Sequence, residues 1–153
     1  MEFTPTKDFE LIARLNEYVH GLHHSLFPER FQPYNYEKFQ VFFEEMVDKE
    51  NHYFFKGVDG DEAFGYVWLE VKEQSESIFK KRYSCVYVHQ ISLKKNKEGR
   101  GYGTFLMDQV INFTAERKIK FIELDYWIKN DRARMFYEKH GFVRTREIVC
   151  KEL

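Results

Sequence analysis

The 153-residue chain is short of several things, and each shortage excludes a class of protein. It has two cysteines, Cys85 and Cys150, too few for a disulfide framework. Both fall in strand-like runs and read as buried, reduced thiols, which fits a cytoplasmic protein. No Cys/His spacing suggests zinc, since His20, His23 and His24 have no cysteine nearby, and no metal is expected. No apolar run approaches the length of a membrane span. The start Met1-Glu2-Phe3-Thr4-Pro5 lacks the basic residues and apolar run of a signal peptide. Neither sign of charge is in excess: 24 basic and 25 acidic residues are interspersed, for a net charge of −1. Neither a nucleic acid nor a membrane is therefore an expected partner. Without repeats, low-complexity segments or a linker, residues 1–153 read as one domain with room for a core.

What is abundant is aromatic: 16 Phe and 10 Tyr help bring the aromatic share to 18%. Most belong in a core. Leu11, Ile12, Leu15, Val19, Leu22 and Leu26 recur at three- and four-residue steps and predict a helix over 7–26. Asn35 is a candidate N-cap for a helix over 36–49, with Phe39, Phe42, Phe43 and Met46 facing inward. Tyr53 to Val58 and Ala63 to Lys72 read as strands joined by a turn at Asp59-Gly60. Arg82 to Leu93 reads as a strand, 103–117 as a helix, Ile119 to Trp127 as a strand and Asp131 to His140 as a helix. Gly141 sits where a left-handed cap belongs. Val143 to Lys151 reads as a closing strand or strands, and a short strand is expected near Phe3. This order predicts an α/β (α+β) fold, a mixed sheet with helices on both faces.

Glycine is scarce, yet three of the eight glycines fall within Gly99-Arg100-Gly101-Tyr102-Gly103. A glycine-rich turn between a strand and a helix lets a ligand approach the main chain. The first N–H groups of the following helix are unpaired and lie at the positive end of its dipole, so the feature reads as a phosphate or pyrophosphate cradle. It is not a P-loop, because no Lys-Ser or Lys-Thr follows. The spacing G-x-G-x-G also misses the dinucleotide fingerprint.

A second motif follows the strand at 119–127: Asn130-Asp131-Arg132-Ala133-Arg134-Met135-Phe136-Tyr137-Glu138-Lys139-His140-Gly141-Phe142. Together the two resemble the GNAT (GCN5-related) N-acetyltransferase superfamily. Its loop reads [Q/R]-x-x-G-x-[G/A] and its later helix N-x-x-A-x-x-[FL]-Y-E-K-x-G-F. The resemblance covers roughly residues 84 to 152 and is silent on the acceptor. It implies the GNAT fold, with the strand before the loop splayed from the strand after it to admit acetyl-CoA. It implies that backbone groups of Ile91, Ser92 and Leu93 pair with the pantetheine arm, a mode similar to β-augmentation. It places the pyrophosphate on the loop Glu98, Gly99, Arg100, Gly101, Tyr102, Gly103 and Thr104, and adds Asn130 and Phe136 to the cofactor site. Asn130 also reads as the N-cap of its helix. Lys139 reads as solvated surface. Glu98 departs from the family's Arg or Gln, with Lys94, Lys95, Lys97 and Arg100 as compensating charges. Glu98→Arg is accordingly expected to tighten acetyl-CoA binding.

Two side chains carry the expected chemistry. By helical periodicity alone, Tyr137 is a core residue; the resemblance points it at the thioester sulfur. A free tyrosine (pKa ~10) is a weaker acid than a thiol (~8.5), so Tyr137 is expected to act first as a hydrogen-bond donor to the developing thiolate. The base is His89 or ordered water. Branches of the family carry Glu where this chain has His89 or Tyr87, and a strand histidine can also be purely structural. Glu29, Glu70 and Trp68 are candidates to line the acceptor pocket. The sequence therefore reads as an acetyl-CoA-dependent N-acetyltransferase for a primary amine of a small molecule. A protein N-terminal or lysine acetyltransferase and a non-catalytic acyl-CoA sensor are the alternatives. The family often dimerises, so a homodimer is among the implied arrangements.

Overall fold

The computed structural model describes residues 1–153. Five strands form one sheet in the order β1-β2-β3-β4-β5, where β1 is Glu2–Pro5, β2 His52–Asp59, β3 Glu62–Gln74, β4 Tyr83–Leu93 and β5 Phe121–Leu124. The first four pair antiparallel; β5 joins β4 in parallel. No helix is long and apolar enough to cross a membrane.

The helices follow from their caps and apolar faces. Asp8 caps α1 (Phe9–Leu26) by accepting from Leu11 N at 2.9 Å, and Asn35 caps α2 (Tyr36–Met46) by accepting from Lys38 N at 2.9 Å. Both lie on one face of the sheet, where Ile12, Ala13, Leu15 and Phe43 bury against Phe54, Tyr66 and Trp68. Phe42 departs from its expected inward position: it is 42% exposed and offers only an edge to Trp68, because Phe43 already fills the inward slot. On the other face, α3 (Tyr102–Glu116) buries Leu106, Met107, Val110 and Phe113 against Phe64, Val67, Leu69, Val86 and Val88. A buried polar contact fixes α1 over β4: Asn16 Nδ2 donates to Tyr66 Oη at 2.7 Å and to Gln90 Oε1 at 2.8 Å.

Two strand expectations change. The run Ile119 to Trp127 is a strand only over Phe121–Leu124, because its ladder with β4 ends at the pair Val88 and Leu124. Asp125, Tyr126 and Trp127 bend out of the sheet. The closing strand over Val143 to Lys151 does not form. Val143, Ile148 and Val149 are 81–91% exposed, and Arg144 turns to Glu147 three residues on, at 3.3 Å. β-propensity expresses itself only where a partner edge and a face to bury exist, and neither meets this segment. Cys150 is consequently exposed rather than buried, whereas Cys85 is buried, with burial pushing its thiol up to about 11.

Candidate active site

The splay between β4 and β5 makes the site. Beyond Val88, β4 runs on to Leu93 with no β5 beside it, so the main chain of Ile91, Ser92 and Leu93 is paired to β3 on one side and open on the other. That is the geometry an extended, amide-bearing ligand needs for strand-like pairing. The side chain of Ser92 is occupied elsewhere, donating to Leu15 O at 2.7 Å, so only its backbone serves the open edge.

At the end of that edge lies the glycine loop. Gly99 (φ +70°) and Gly101 (φ +86°) are left-handed, a conformation that costs other residues roughly 1–2 kcal/mol. Gly101 is the N-cap of α3 and carries no side chain to satisfy the first N–H groups, which leaves those of Tyr102, Gly103 and Thr104 to a ligand. A Cβ on Gly103 would lie 3.2 Å from the ring of Phe136, so Phe136 braces the loop against α4 (Asp131–Lys139). The Tyr102 side chain turns away and donates to Asp59 Oδ2 at 2.5 Å.

The charges around the loop are arranged differently from expectation. Lys94 and Lys97 are tied to Glu62 at 2.8 and 2.9 Å; Lys95 and Arg100 stay exposed. Glu98 is paired with Arg132 of α4, whose Nη1 donates to Glu98 Oε2 at 2.5 Å. The acidic residue is thus neutralised, and a guanidinium stands beside the loop.

The second motif is a local structure in its own right. Asn130 caps α4, accepting from Ala133 N at 3.1 Å. Gly141 (φ +82°) closes the helix: its N–H reaches Glu138 O and that of Phe142 reaches Tyr137 O, both at 3.0 Å, while the Phe142 ring packs 5.7 Å from that of Tyr137. The terminal G-F of the motif therefore holds the Tyr137 side chain in place. Burial, with a smaller contribution from Asp125, pushes the Tyr137 phenol up to about 12. Lys139 is exposed on the outer face.

Across the splay is a cluster the sequence only partly announced. Trp68 pairs with Gln90 and Leu69 with Val88, so His89 is the extra residue of a β-bulge, a device that re-aims a side chain. It meets Glu70 from β3, with Nε2 2.7 Å from Oε2. His52 from β2 stands 3.8 Å from the other oxygen of Glu70, and Trp68 Nε1 donates to His52 Nδ1 at 2.9 Å. The Trp68 ring stacks on His89, centroids 4.3 Å apart. Burial pulls both histidines below their ordinary value. Burial works to raise Glu70, but the His89 hydrogen bond and the neighbouring Lys72 and His52 outweigh it and hold the carboxyl low. Of the expected acceptor-side residues, Trp68 and Glu70 come together here, whereas Glu29 is exposed on the α1–α2 turn.

Two residues at the junction were not anticipated. Asp125, freed where β5 leaves the sheet, accepts a hydrogen bond from Tyr87 Oη, and its charge reaches His89, His23 and Tyr137. Trp127 packs 4.9 Å from both Phe27 and Phe31, tying the α1–α2 turn to the loop before α4. The only signal for Asp125 was an acid at the end of a strand run; its role depends on where the ladder stops.

Comparison with known proteins agrees with this geometry. Structures that superpose over the whole chain include a single-residue variant of the BH1408 protein of Bacillus halodurans (TM-score 0.89, 22% identity, covering 100% of this chain and 99% of that one). A protein of Pyrococcus furiosus described as a candidate acetyl transferase matches with TM-score 0.73 and 25% identity over 99% and 100% of the two chains. The aminoglycoside N-acetyltransferase AAC(6')-Iy, solved in complex with CoA, matches with TM-score 0.68 and 14% identity over 99% and 93%. The sequence pattern of the acetyltransferase (GNAT) family matches residues 17–142, most of the chain and both motifs, and the protein belongs to that family.

Proposed function

We propose that the protein transfers the acetyl group of acetyl-CoA to a primary amine of a small molecule, by direct attack in a ternary complex. What supports this is the opening between β4 and β5, with a free strand edge and a glycine loop suited to the donor, and Asp125 at the end of β5, close enough for its charge to bear on both Tyr137 and His89. The open backbone of Ile91 to Leu93 holds the pantetheine. The N–H groups from Gly99 to Thr104 hold the pyrophosphate, with Arg132 adjacent and Asn130 and Phe136 bracing the far side.

His89 accepts the amine proton. A lysine-like amine (~10.4) is almost wholly protonated at neutral pH, and a histidine below ~6.5 is unprotonated and ready there. Asp125 attracts the incoming ammonium before it loses its proton. With its phenol near 12, Tyr137 stays protonated through the cycle and donates to the developing thiolate rather than ionising ahead of it. The small-molecule acceptor is supported by the α1–α2 turn, which His20 and His24 pin through Gln32 O and Phe31 O at 2.7 and 2.8 Å and which packs onto Trp127. A turn held so firmly beside the site would favour a small acceptor.

The test is a panel of amines and peptides assayed for acetyl-CoA-dependent acetylation. Turnover on free amines is the expected outcome. Turnover on peptides alone would transfer the activity to a protein acetyltransferase, and binding of acetyl-CoA without turnover would make the chain a sensor.

A further inference from the structure

Trp68, His52, Glu70 and His89 form a chain of contacts whose proton positions follow from the donors themselves. An indole N–H can only donate. It faces His52 Nδ1 at 2.9 Å, so Nδ1 offers its lone pair and the ring proton sits on Nε2, the edge 3.8 Å from Glu70 Oε1. A second proton on Nδ1 would set two N–H groups against each other, so His52 is held neutral; its side chain is only 4% exposed. The ligand-type atoms of His52, Glu70 and His89 lie within 4.8 Å of one another, close enough to share a cation. The His52 atom facing Glu70 carries a proton where a metal needs a lone pair, so the trio is set for a proton instead. Ionised Glu70 has only acceptors, so His89 Nε2, at 2.7 Å, carries the proton and Nδ1 is the free base.

We infer that Trp68 and His52 are positioning residues for a Glu70–His89 pair whose proton-accepting atom is His89 Nδ1. This rests on the acetyltransferase reading above. The ammonium gives one proton to Nδ1, and the nitrogen keeps the electron pair with which it attacks the thioester carbonyl; the nitrogen, now cationic, releases its second proton to solvent as the amide forms. The C–S bond then breaks, the thiolate takes a proton from Tyr137, and the proton on His89 returns to Tyr137 through solvent. The transient imidazolium is stabilised twice: by the Glu70 carboxylate at Nε2, and by the Trp68 indole face, 4.3 Å away and inclined by 20°. The groups that face His89 and shape its titration are Glu70 and Lys72 of β3, His52 of β2, Tyr87 of β4 and Asp125; those facing His52 are Glu70, His89, Lys49 and Lys72.

Nitrogen-15 NMR of the imidazole rings in the free protein tests the assignment without any substrate. Both His52 and His89 are expected as Nε2–H tautomers at neutral pH, with His52 not titrating across the range where the protein stays folded. Trp68→Phe keeps a ring on Phe54 and His89 but removes the N–H; His52 should then exchange between tautomers and gain a protonation step. An Nδ1–H tautomer at either ring, or a His52 indifferent to Trp68→Phe, overturns the inference. In turnover, Glu70→Gln keeps an acceptor for His89 but removes the charge. It should lower kcat at least tenfold and move the acid limb of the kcat profile to lower pH, with KM for acetyl-CoA unchanged. Wild-type turnover with an unaltered Glu70→Gln profile refutes the pair alone. A wild-type protein that acetylates nothing refutes the acetyltransferase reading, and the catalytic part of the inference with it.

Discussion

On the proposed donor side, Gly99 to Thr104 and Asn130 to Phe142 are continuous segments, each folded by its own turns and caps, and the first of them offers backbone N–H donors. On the proposed acid–base side, His52, Glu70 and His89 come from three different strands, with Asp125 arriving from the residue after a fourth; every group offered there is a side chain. Backbone donors survive most substitutions and are lost only when the turn itself is strained. Side chains held by one another are lost singly and completely. The two halves should therefore fail differently: the donor half in affinity, the acid–base half in turnover.

The largest separation is expected at His89. His89→Gln should lower kcat about 100-fold, in the range of a lost general base, with little change in KM for acetyl-CoA. The pH profile sharpens the point. Because burial places His89 below its ordinary value, kcat should rise with pH through a value under ~6.5, where the ring loses its proton, and stay level above it. The variant should lose that limb; an unchanged profile removes His89 from the mechanism. Next is Tyr137→Phe, for which kcat should fall at least tenfold at nearly constant KM for acetyl-CoA, measured by thiol release. Tyr137 lies on α4 but is proposed to act through its side chain, so unchanged turnover would break the division drawn above.

Smaller effects belong to the donor half. Gly101→Ala forces a left-handed alanine at a cost of roughly 1–2 kcal/mol, and should raise KM for acetyl-CoA up to about tenfold while sparing kcat. A fall in kcat alone would show that the loop does more than bind. Arg132→Ala should raise that KM by roughly threefold, less at high salt, since an exposed guanidinium contributes about 0–1 kcal/mol. The same ion pair reverses the expectation for Glu98→Arg: two like charges would meet, and binding should weaken. Gly141→Ala should have the smallest functional effect and lower Tm by about 2–8 °C in calorimetry, through strain in the α4 cap.

How much was legible follows the same line. The caps Asp8, Asn35 and Asn130 and the left-handed Gly141 come from chemistry within four residues of themselves, and Asn35, Asn130 and Gly141 are legible in the sequence alone. The expected strand over Val143 to Lys151 failed because a strand is a relation between two segments, and this one has no partner. The acidic Glu98 looked anomalous only while Arg132, 34 positions away, was out of view.

By itself the sequence determined the family, the order of most elements and the glycine loop, because helix caps, glycine turns and apolar periodicity are local properties read off neighbouring residues. Only the tertiary structure decided the cluster around His89: where the β4–β5 ladder stops, that His89 is the extra residue of a bulge, and that Glu70, His52, Trp68 and Asp125 converge around it. Strand register and splay are set by contacts between residues 19 to 38 positions apart, as for Glu70 with His89 and Tyr87 with Asp125, and no local pattern encodes such a distance.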